Sequence, residues 1–296
     1  MEKDHWTSTD KKCLPYTRWP TAGPASGHPK AAVICVHGLS GAASDFWPAG
    51  EMLEKDGCVA YGMELRGMGN DPDKSSRGDV RSRQRWTDDL MAFTAAVRSR
   101  HPGVPVFWFG ESLGALIVMH SVALLDNAQP MPAGVILTSP VIGFRRELPW
   151  WKYCPLRLLM QLLPWKRISL ESLGEDEVKV TNRTTHKQQM EKTPHYVEFF
   201  TLRLFRVVEK MVRESHRAAQ ALHVPVLMLY TPNDVFNTAE QLEDFFQQVG
   251  CGDKTKVLYP KSYHLILHDV DRPNALREIK AWLDAHCTGQ LGSPAK

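Results

Sequence analysis

Gly110-Glu111-Ser112-Leu113-Gly114 is the stretch of this sequence best suited to do chemistry. Val106-Phe107-Trp108-Phe109 precedes it and Leu116-Ile117-Val118-Met119 follows. The first run reads as a buried strand, the second as the opening turns of a helix laid on a sheet. A serine on so tight a strand-to-helix turn must take a strained backbone, which nearly side-chain-free neighbours two residues before and two after permit. Gly110 and Gly114 meet that need. The turn would lift the Ser112 hydroxyl above the sheet at a helix N-terminus, where unpaired N–H groups and the helix dipole favour negative charge. Ser112 therefore reads as a nucleophile, against the plainer alternative of a Gly-Ser turn.

A serine hydroxyl is a weak nucleophile at neutral pH, so a base must take its proton and a carboxylate must hold that base in the right tautomer. Asp234 follows the apolar run Val224 to Tyr230, and His264 follows Lys256-Val257-Leu258-Tyr259-Pro260. Both fall at the end of a strand, on the same sheet edge as Ser112. Rivals are His268 as base, Asp269 as acid and Glu111 beside the nucleophile. Asp269 is disfavoured because it follows the histidine. His264 and His268 have a ligand-like spacing, but no glutamate follows the first as in a zinc-binding helix, so neither metal nor cofactor is expected.

The elements that must position these groups follow a rhythm. Ala31 to Val36 is an unbroken apolar strand ending at His37-Gly38-Leu39-Ser40-Gly41, and continuous runs of this kind imply burial on both faces. A helix around Trp47 to Lys55 leads to the strand Cys58 to Leu65, closed by Arg66-Gly67-Met68-Gly69-Asn70. A helix from Trp86 to Arg100 precedes the Ser112 strand, and Gly134 to Pro140 gives another. The first thirty residues suggest an edge hairpin and loop. After Gln220 come a helix through Leu242 to Phe246 and a closing helix from Asn274 to Ala285, then a loose tail from Thr288 to Lys296. The alternation predicts a doubly wound, mostly parallel sheet.

Between Val141 and about Gln220 the rhythm breaks. Leu148 to Trp165 is greasy, but Pro149, Pro155, Pro164, Lys152 and Arg157 interrupt it, so a cap is expected rather than a membrane span, which needs about 20 apolar residues. A second cap helix is expected to start with Thr193 as N-cap and Pro194 at N1, carrying Tyr196, Phe199, Phe200, Leu204, Val207, Val208 and Met211. These apolar residues either pack a plain helical subdomain or line an acyl pocket and touch lipid. The organisation expected is a core over 1–140, a cap over 141–220 and the rest of the core over 221–296.

With 296 residues and 43% hydrophobic content the chain can bury a large core, and a net charge of +3 without basic blocks gives no reason to expect nucleic acid. The opening residues Met1 to Trp6 lack a secretory apolar run, and the six cysteines are scattered without a C-x-x-C pair. A reducing, cytoplasmic setting is expected.

The chain resembles the α/β-hydrolases, and among them the monoacylglycerol lipase and lysophospholipase-like serine hydrolases with a helical cap. The matching pieces are His37-Gly38-Leu39, Arg66-Gly67-Met68-Gly69, Gly110 to Gly114, Asn233-Asp234 and Ser262-Tyr263-His264. Relatives often carry a histidine where this chain has Met68, and a glycine-led acid loop where it has Thr231-Pro232-Asn233-Asp234. The resemblance implies Ser112 as nucleophile, Asp234 as acid and His264 as base, with the N–H groups of Leu39 and Leu113 as oxyanion hole. His37 and Gly38 are expected to belong to the oxyanion loop, with His37 ordering it by hydrogen bonding rather than acting in proton transfer. The expected activity is hydrolysis of a medium- or long-chain carboxylic ester, monoacylglycerol or lysophospholipid, with peripheral membrane contact through the cap. A thioesterase, an amidase or peptidase, or an acyltransferase would use the same triad. A catalytically silent binding module and a membrane-associated interaction protein are the readings outside catalysis.

Overall fold

The computed structural model describes residues 1–21, 28–125, 130–145, 149–169, 179–185, 188 and 193–287. The expected tail over 288–296 lies outside them, as does part of the loop after the first hairpin. Strands β1 (Glu2–Thr7) and β2 (Cys13–Trp19) form that hairpin. Then follow β3 (Ala32–Val36), helix α1 (Trp47–Lys55), β4 (Val59–Met63), helix α2 (Arg83–Arg100), β5 (Val106–Glu111), helix α3 (Leu113–Leu124) and β6 (Gly134–Thr138). The cap region holds helix α4 (Trp150–Leu162), two short strands, β7 (Arg167–Ser169) and β8 (Phe199–Thr201), and the helix Leu202–Arg213. After the short helix Ser215–Gln220, the sheet resumes with β9 (Val226–Tyr230) and, past the helix Ala239–Gln248, β10 (Lys254–Leu258); Arg272–Cys287 closes the chain.

Eight strands make one sheet in the order β1-β2-β4-β3-β5-β6-β9-β10, in which β2 pairs antiparallel with both β1 and β4 and the remaining pairings are parallel. The five central strands are buried along their whole length, which is why their sequences are continuous apolar runs. On one face α1 and the closing helix bury Trp19, Phe46, Phe107, Phe109 and Trp282. On the other, α2, α3 and the helix Ala239–Gln248 cover Trp86, Phe93, Trp108 and Phe245. Helix α3 is buried from Leu113 through Val122, so it has no polar face to reveal its period. It is the α/β-hydrolase arrangement, with the C-terminal ends of β3, β5, β6, β9 and the loop after β10 along one edge.

The second cap helix does not begin at Thr193. Thr193 and Pro194 form a turn closed by the Tyr196 N–H on the Thr193 carbonyl, 3.2 Å, and no helix starts before β8. Thr201 is the real N-cap, its Oγ1 accepting from the Leu204 N–H at 3.1 Å. A long-range tether decides this: Thr201 N–H donates to the Gly78 carbonyl, its hydroxyl donates to Asp79 Oδ1 at 2.7 Å, and Arg203 pairs with the same carboxylate. β8 also pairs antiparallel with β7, so the cap is not purely helical. Local capping preference, about 1 kcal/mol, yields to that combination.

Gly114 lets α3 sit down on the sheet: a Cβ there would fall 1.9 Å from the Val36 carbonyl oxygen. Gly114→Ala should therefore lower stability by about 3 kcal/mol or more, the upper end of overpacking costs, because backbone and not a flexible side chain must move. Gly252→Ala, where nothing lies within 4 Å, serves as the control. Urea unfolding midpoints compare the two, and equal midpoints would contradict the packing argument.

Candidate active site

β5 ends at Glu111 and α3 begins at Leu113, so Ser112 alone makes the turn, at φ 56 and ψ −118. A positive φ in a residue with a side chain costs on the order of 1–3 kcal/mol. Two bonds to its main chain hold it there: Ser112 N–H donates to the Thr138 carbonyl at 2.9 Å, and Leu116 N–H donates to the Ser112 carbonyl at 3.3 Å. Gly110 is required beside it, since a Cβ would fall 2.5 Å from the Ala115 nitrogen and Cα.

Ser112 Oγ lies 2.8 Å from His264 Nε2, and His264 Nδ1 lies 2.8 Å from Asp234 Oδ2. All three are buried. The other Asp234 oxygen accepts from Phe236 N–H at 2.7 Å, Asn237 N–H at 3.0 Å and the Asn237 amide at 3.2 Å. Burial works to raise the Asp234 pKa, but the charge and hydrogen bond of His264, with those amides, hold it below the usual carboxylate value. Burial likewise works to lower that of His264, yet Asp234, aided by the charge of Glu111, carries it above the ordinary imidazole value. The arrangement suits an Nδ1–H donating to Asp234 and an Nε2 lone pair accepting the Ser112 proton. The Phe236 ring stands edge-on to the imidazole at 4.9 Å between centroids.

The rivals go elsewhere. Asp269 accepts from the Asn182 and Tyr263 amides, fixing the loop that carries His264. His268 faces the Trp47 ring, 6.5 Å between centroids. Glu111 is buried; desolvation pushes its carboxyl toward the neutral form, and Oε1 has no hydrogen-bond partner among the described residues. Gly38 abuts the serine, where a Cβ would lie 3.0 Å from Ser112 Cβ and 3.5 Å from Oγ. Leu39 follows it directly. Among the described residues nothing accepts from the backbone N–H of Leu39 or Leu113. His37 Nδ1 lies 2.8 Å from the Gly38 carbonyl, within hydrogen-bonding reach.

Sequence reasoning missed Asn237. Its Oδ1 accepts from Ile142 and Gly143 N–H, and its amide donates to the Pro140 carbonyl at 2.9 Å as well as to Asp234. One buried side chain thus ties the acid loop to the segment leaving β6. The signal was present as an Asp turn accepting from residues two and three ahead, a local habit of Asp.

The family model described as serine aminopeptidase, S33, matches residues 27–271. The chain is 22% identical over 257 residues to a monoglyceride lipase homolog of Monkeypox virus, covering 86% of this chain and 90% of that one. It is 23% identical over 281 residues to human monoglyceride lipase, covering 91% and 88%. Among solved structures, a monoacylglycerol lipase of Paleococcus ferrophilus superposes with a TM-score of 0.76 at 23% identity, covering 92% of this chain and 99% of that one. A soluble variant of Saccharomyces cerevisiae monoglyceride lipase, in complex with a substrate analog, superposes at 0.80 with 19% identity, covering 96% and 94%. At such identities the superpositions speak for the fold, while the family match spans most of the chain. This chain belongs to the serine aminopeptidase S33 family of α/β-hydrolases.

Proposed function

We propose that Ser112, His264 and Asp234 are nucleophile, base and acid of a carboxylic ester hydrolase acting on medium- or long-chain monoacyl esters, monoacylglycerols first and lysophospholipids second. The observation that carries this reading is the hydrogen-bonded line from Ser112 through His264 to Asp234 on a strained turn. Ser112 Oγ attacks the ester carbonyl while Nε2 takes its proton, and the Leu39 and Leu113 amides receive the oxyanion. Each such donor is worth about 3 to 4 kcal/mol in the transition state. Collapse expels the alcohol with the proton from Nε2. Water then attacks the acyl-enzyme by the same route, releasing the carboxylic acid and restoring Ser112.

The substrate class rests on the cap, which we place at 141–220 between core parts 1–140 and 221–296. No residue of α4 is buried, and Trp150 is 77%, Trp165 66% and Leu162 62% exposed. A run of exposed apolar side chains this large marks a contact surface. Lys152, Arg157 and Lys166 lie among them, and α4 carries no acidic residue. The reading places this face on a lipid surface as a peripheral contact; no helix among the described residues is long and apolar enough to cross a membrane. All six cysteines are free, which suits the cytoplasmic setting we assign it.

The lipases in the comparison support esters, whereas the family description points to peptides. Turnover of a monoacylglycerol series against aminoacyl anilides separates the two. We expect ester turnover with a medium- or long-chain optimum, a fluorophosphonate adduct on the intact protein, and loss of both in Ser112→Ala by about 10⁴-fold or more. Turnover confined to anilides with a free amino terminus would overturn the ester assignment.

His264 must be neutral to accept the proton. Its pKa is raised from 6.5, so kcat/KM should fall with decreasing pH through a value above 6.5. In Asp234→Asn the residual activity should show that limb displaced to lower pH. A limb unmoved by the change would count against Asp234 as its cause.

Trp150→Ser combined with Trp165→Ser should weaken cosedimentation with phospholipid vesicles and turnover of emulsified ester. Hydrolysis of a soluble short-chain ester should stay within about twofold, because neither residue is buried. Equal losses on both substrates would argue against a surface role.

A further inference from the structure

Glu64 directly follows β4, and the parallel register that pairs Val36 with Met63 makes it the neighbour of His37 across the sheet edge. Only 2% of it is exposed. A carboxylate so placed is costly unless it is paired and hydrogen-bonded. Its Oε1 lies 3.2 Å from His37 Nε2, and its Oε2 accepts from Ala43 N–H at 3.4 Å and from the Asn70 amide at 3.2 Å. His37 and Ala43 are the two ends of the oxyanion loop. Gly69, at φ 46, seals the arrangement: a Cβ there would fall 1.7 Å from Glu64 Oε1 and 2.8 Å from the Gly41 carbonyl oxygen.

The loop between those ends needs such fastening. Ser40 within it has φ 62, a conformation that a residue with a side chain holds only when its surroundings impose it. Gly41 N–H donates to the Gly38 carbonyl at 3.1 Å to close the turn, and Leu39 sits in its middle. The His37 ring can face its neighbours in two ways. As neutral imidazole with its proton on Nδ1, Nε2 accepts from Leu65 N–H at 3.1 Å, and Glu64 Oε1 is left without a donor among the described residues. As imidazolium, it donates from Nδ1 to the Gly38 carbonyl and from Nε2 to Glu64. Burial disfavours charge on both groups, but each outweighs it for the other, so Glu64 is held low and His37 raised. The ion pair satisfies the buried polar atoms of both side chains but gives up the Leu65 N–H bond to Nε2, and in either state Glu64 lies against the His37 ring and holds the Ala43 N–H.

We propose that Glu64 is a positioning residue for the oxyanion hole: its carboxylate fixes both ends of the His37 to Ala43 loop and so aims the Leu39 N–H at the substrate oxyanion. The inference rests on the ester-hydrolase reading above. Glu64 itself touches no substrate. The Leu39 donor matters most once the carbonyl oxygen has become an oxyanion, so loosening the loop raises the barrier to acylation more than it weakens substrate binding.

The test compares wild type, Glu64→Gln and Glu64→Asp on a soluble ester and on its thiono analogue, in which sulfur replaces the carbonyl oxygen and is a poor hydrogen-bond acceptor. Wild type should prefer the oxygen ester strongly. In Glu64→Gln, kcat for the oxygen ester should fall about tenfold to a hundredfold, less than for outright loss of a donor, with KM within about threefold. The thiono ester should lose little, so the preference collapses by nearly the same factor. Glu64→Asp, which restores the charge on a shorter stem, should recover part of it. A Glu64→Gln protein whose two rates fall together, leaving the preference intact, would overturn the proposal and make Glu64 a stability residue only. The proposal falls equally if Glu64→Gln fails to fold and Glu64→Asp keeps the wild-type preference. Fluorophosphonate labelling of wild type is read alongside: with labelling intact, such results sink only the role of Glu64, whereas an unlabelled, inactive wild type sinks the hydrolase reading and this inference with it.

Discussion

Ser112 holds φ at 56, a conformation a residue with a side chain leaves whenever its surroundings allow. Its surroundings do not allow it, because β5, β6 and α3 each fix one side of the turn. The Thr138 carbonyl takes its N–H, α3 takes its carbonyl, and the close seats of Gly110 and Gly114 leave no room for the chain to relax. The strain is thus stored by an interior packed on both faces of the sheet, and not by the few residues of the turn itself. That explains why so much of this chain is buried strand and apolar helix. A looser core would let Ser112 slip into ordinary helix or strand geometry, and the hydroxyl would lose its line to His264.

Around that turn, charge is arranged in two similar pairs and one exception. Asp234 with His264 and Glu64 with His37 each place a buried carboxylate against a buried imidazole, and in both the partners stabilise each other's charge against the cost of burial. They differ in what the imidazole does next. His264 has its far nitrogen on Ser112, while His37 has Nδ1 on the Gly38 carbonyl and Nε2 facing Glu64 and the Leu65 N–H at the end of β4. Glu111 is the exception, a carboxyl with no cation in hydrogen-bonding contact among the described residues, which burial drives toward neutrality. Whatever charge Glu111 carries acts on His264 in the same direction as Asp234, so burial of Glu111 leaves Asp234, in direct contact, as the main influence on that imidazole.

How much of this was legible in the sequence follows from how local each determinant is. The central strands announced themselves because burial on both faces leaves only apolar runs, and the Ser112 turn because its glycines sit at fixed offsets. Asp234 and His264 were singled out from their places at strand ends, and the fold brings them into one hydrogen-bonded line with Ser112. Thr193-Pro194 misled because it carries a sound local signal for a helix start, which the Thr201 and Arg203 bonds to Asp79 override from more than a hundred residues away. Asn237 and Glu64 were invisible for the same reason. Each is a polar residue in an unremarkable loop until folding brings Pro140 or His37 beside it. The pattern is physical: apolar periodicity and glycine offsets are written along the chain, whereas buried polar partnerships exist only across it.

The cap shows the same division in its attachment. Its inner edge is held by polar bonds to the core: Arg77 donates to the His195 and Tyr196 carbonyls, Arg203 pairs with Asp79, and His195 Nε2 lies 3.3 Å from Asp45 Oδ2, just beyond the oxyanion loop. Its outer helix, α4, contributes nothing buried, although its aromatic and leucine content would suit a core. Apolar side chains gain stability only where water is removed from them, so α4 has little of its own without a surface to meet. On the ester-hydrolase reading, that surface is the lipid that carries the substrate. On that reading, burying the outer face in lipid would leave the Asp79, Arg77 and Asp45 bonds untouched. On the proposed reading the cap would gain an apolar environment while keeping its bonds to the core, and substrate choice would lie in a layer on which the sheet does not depend.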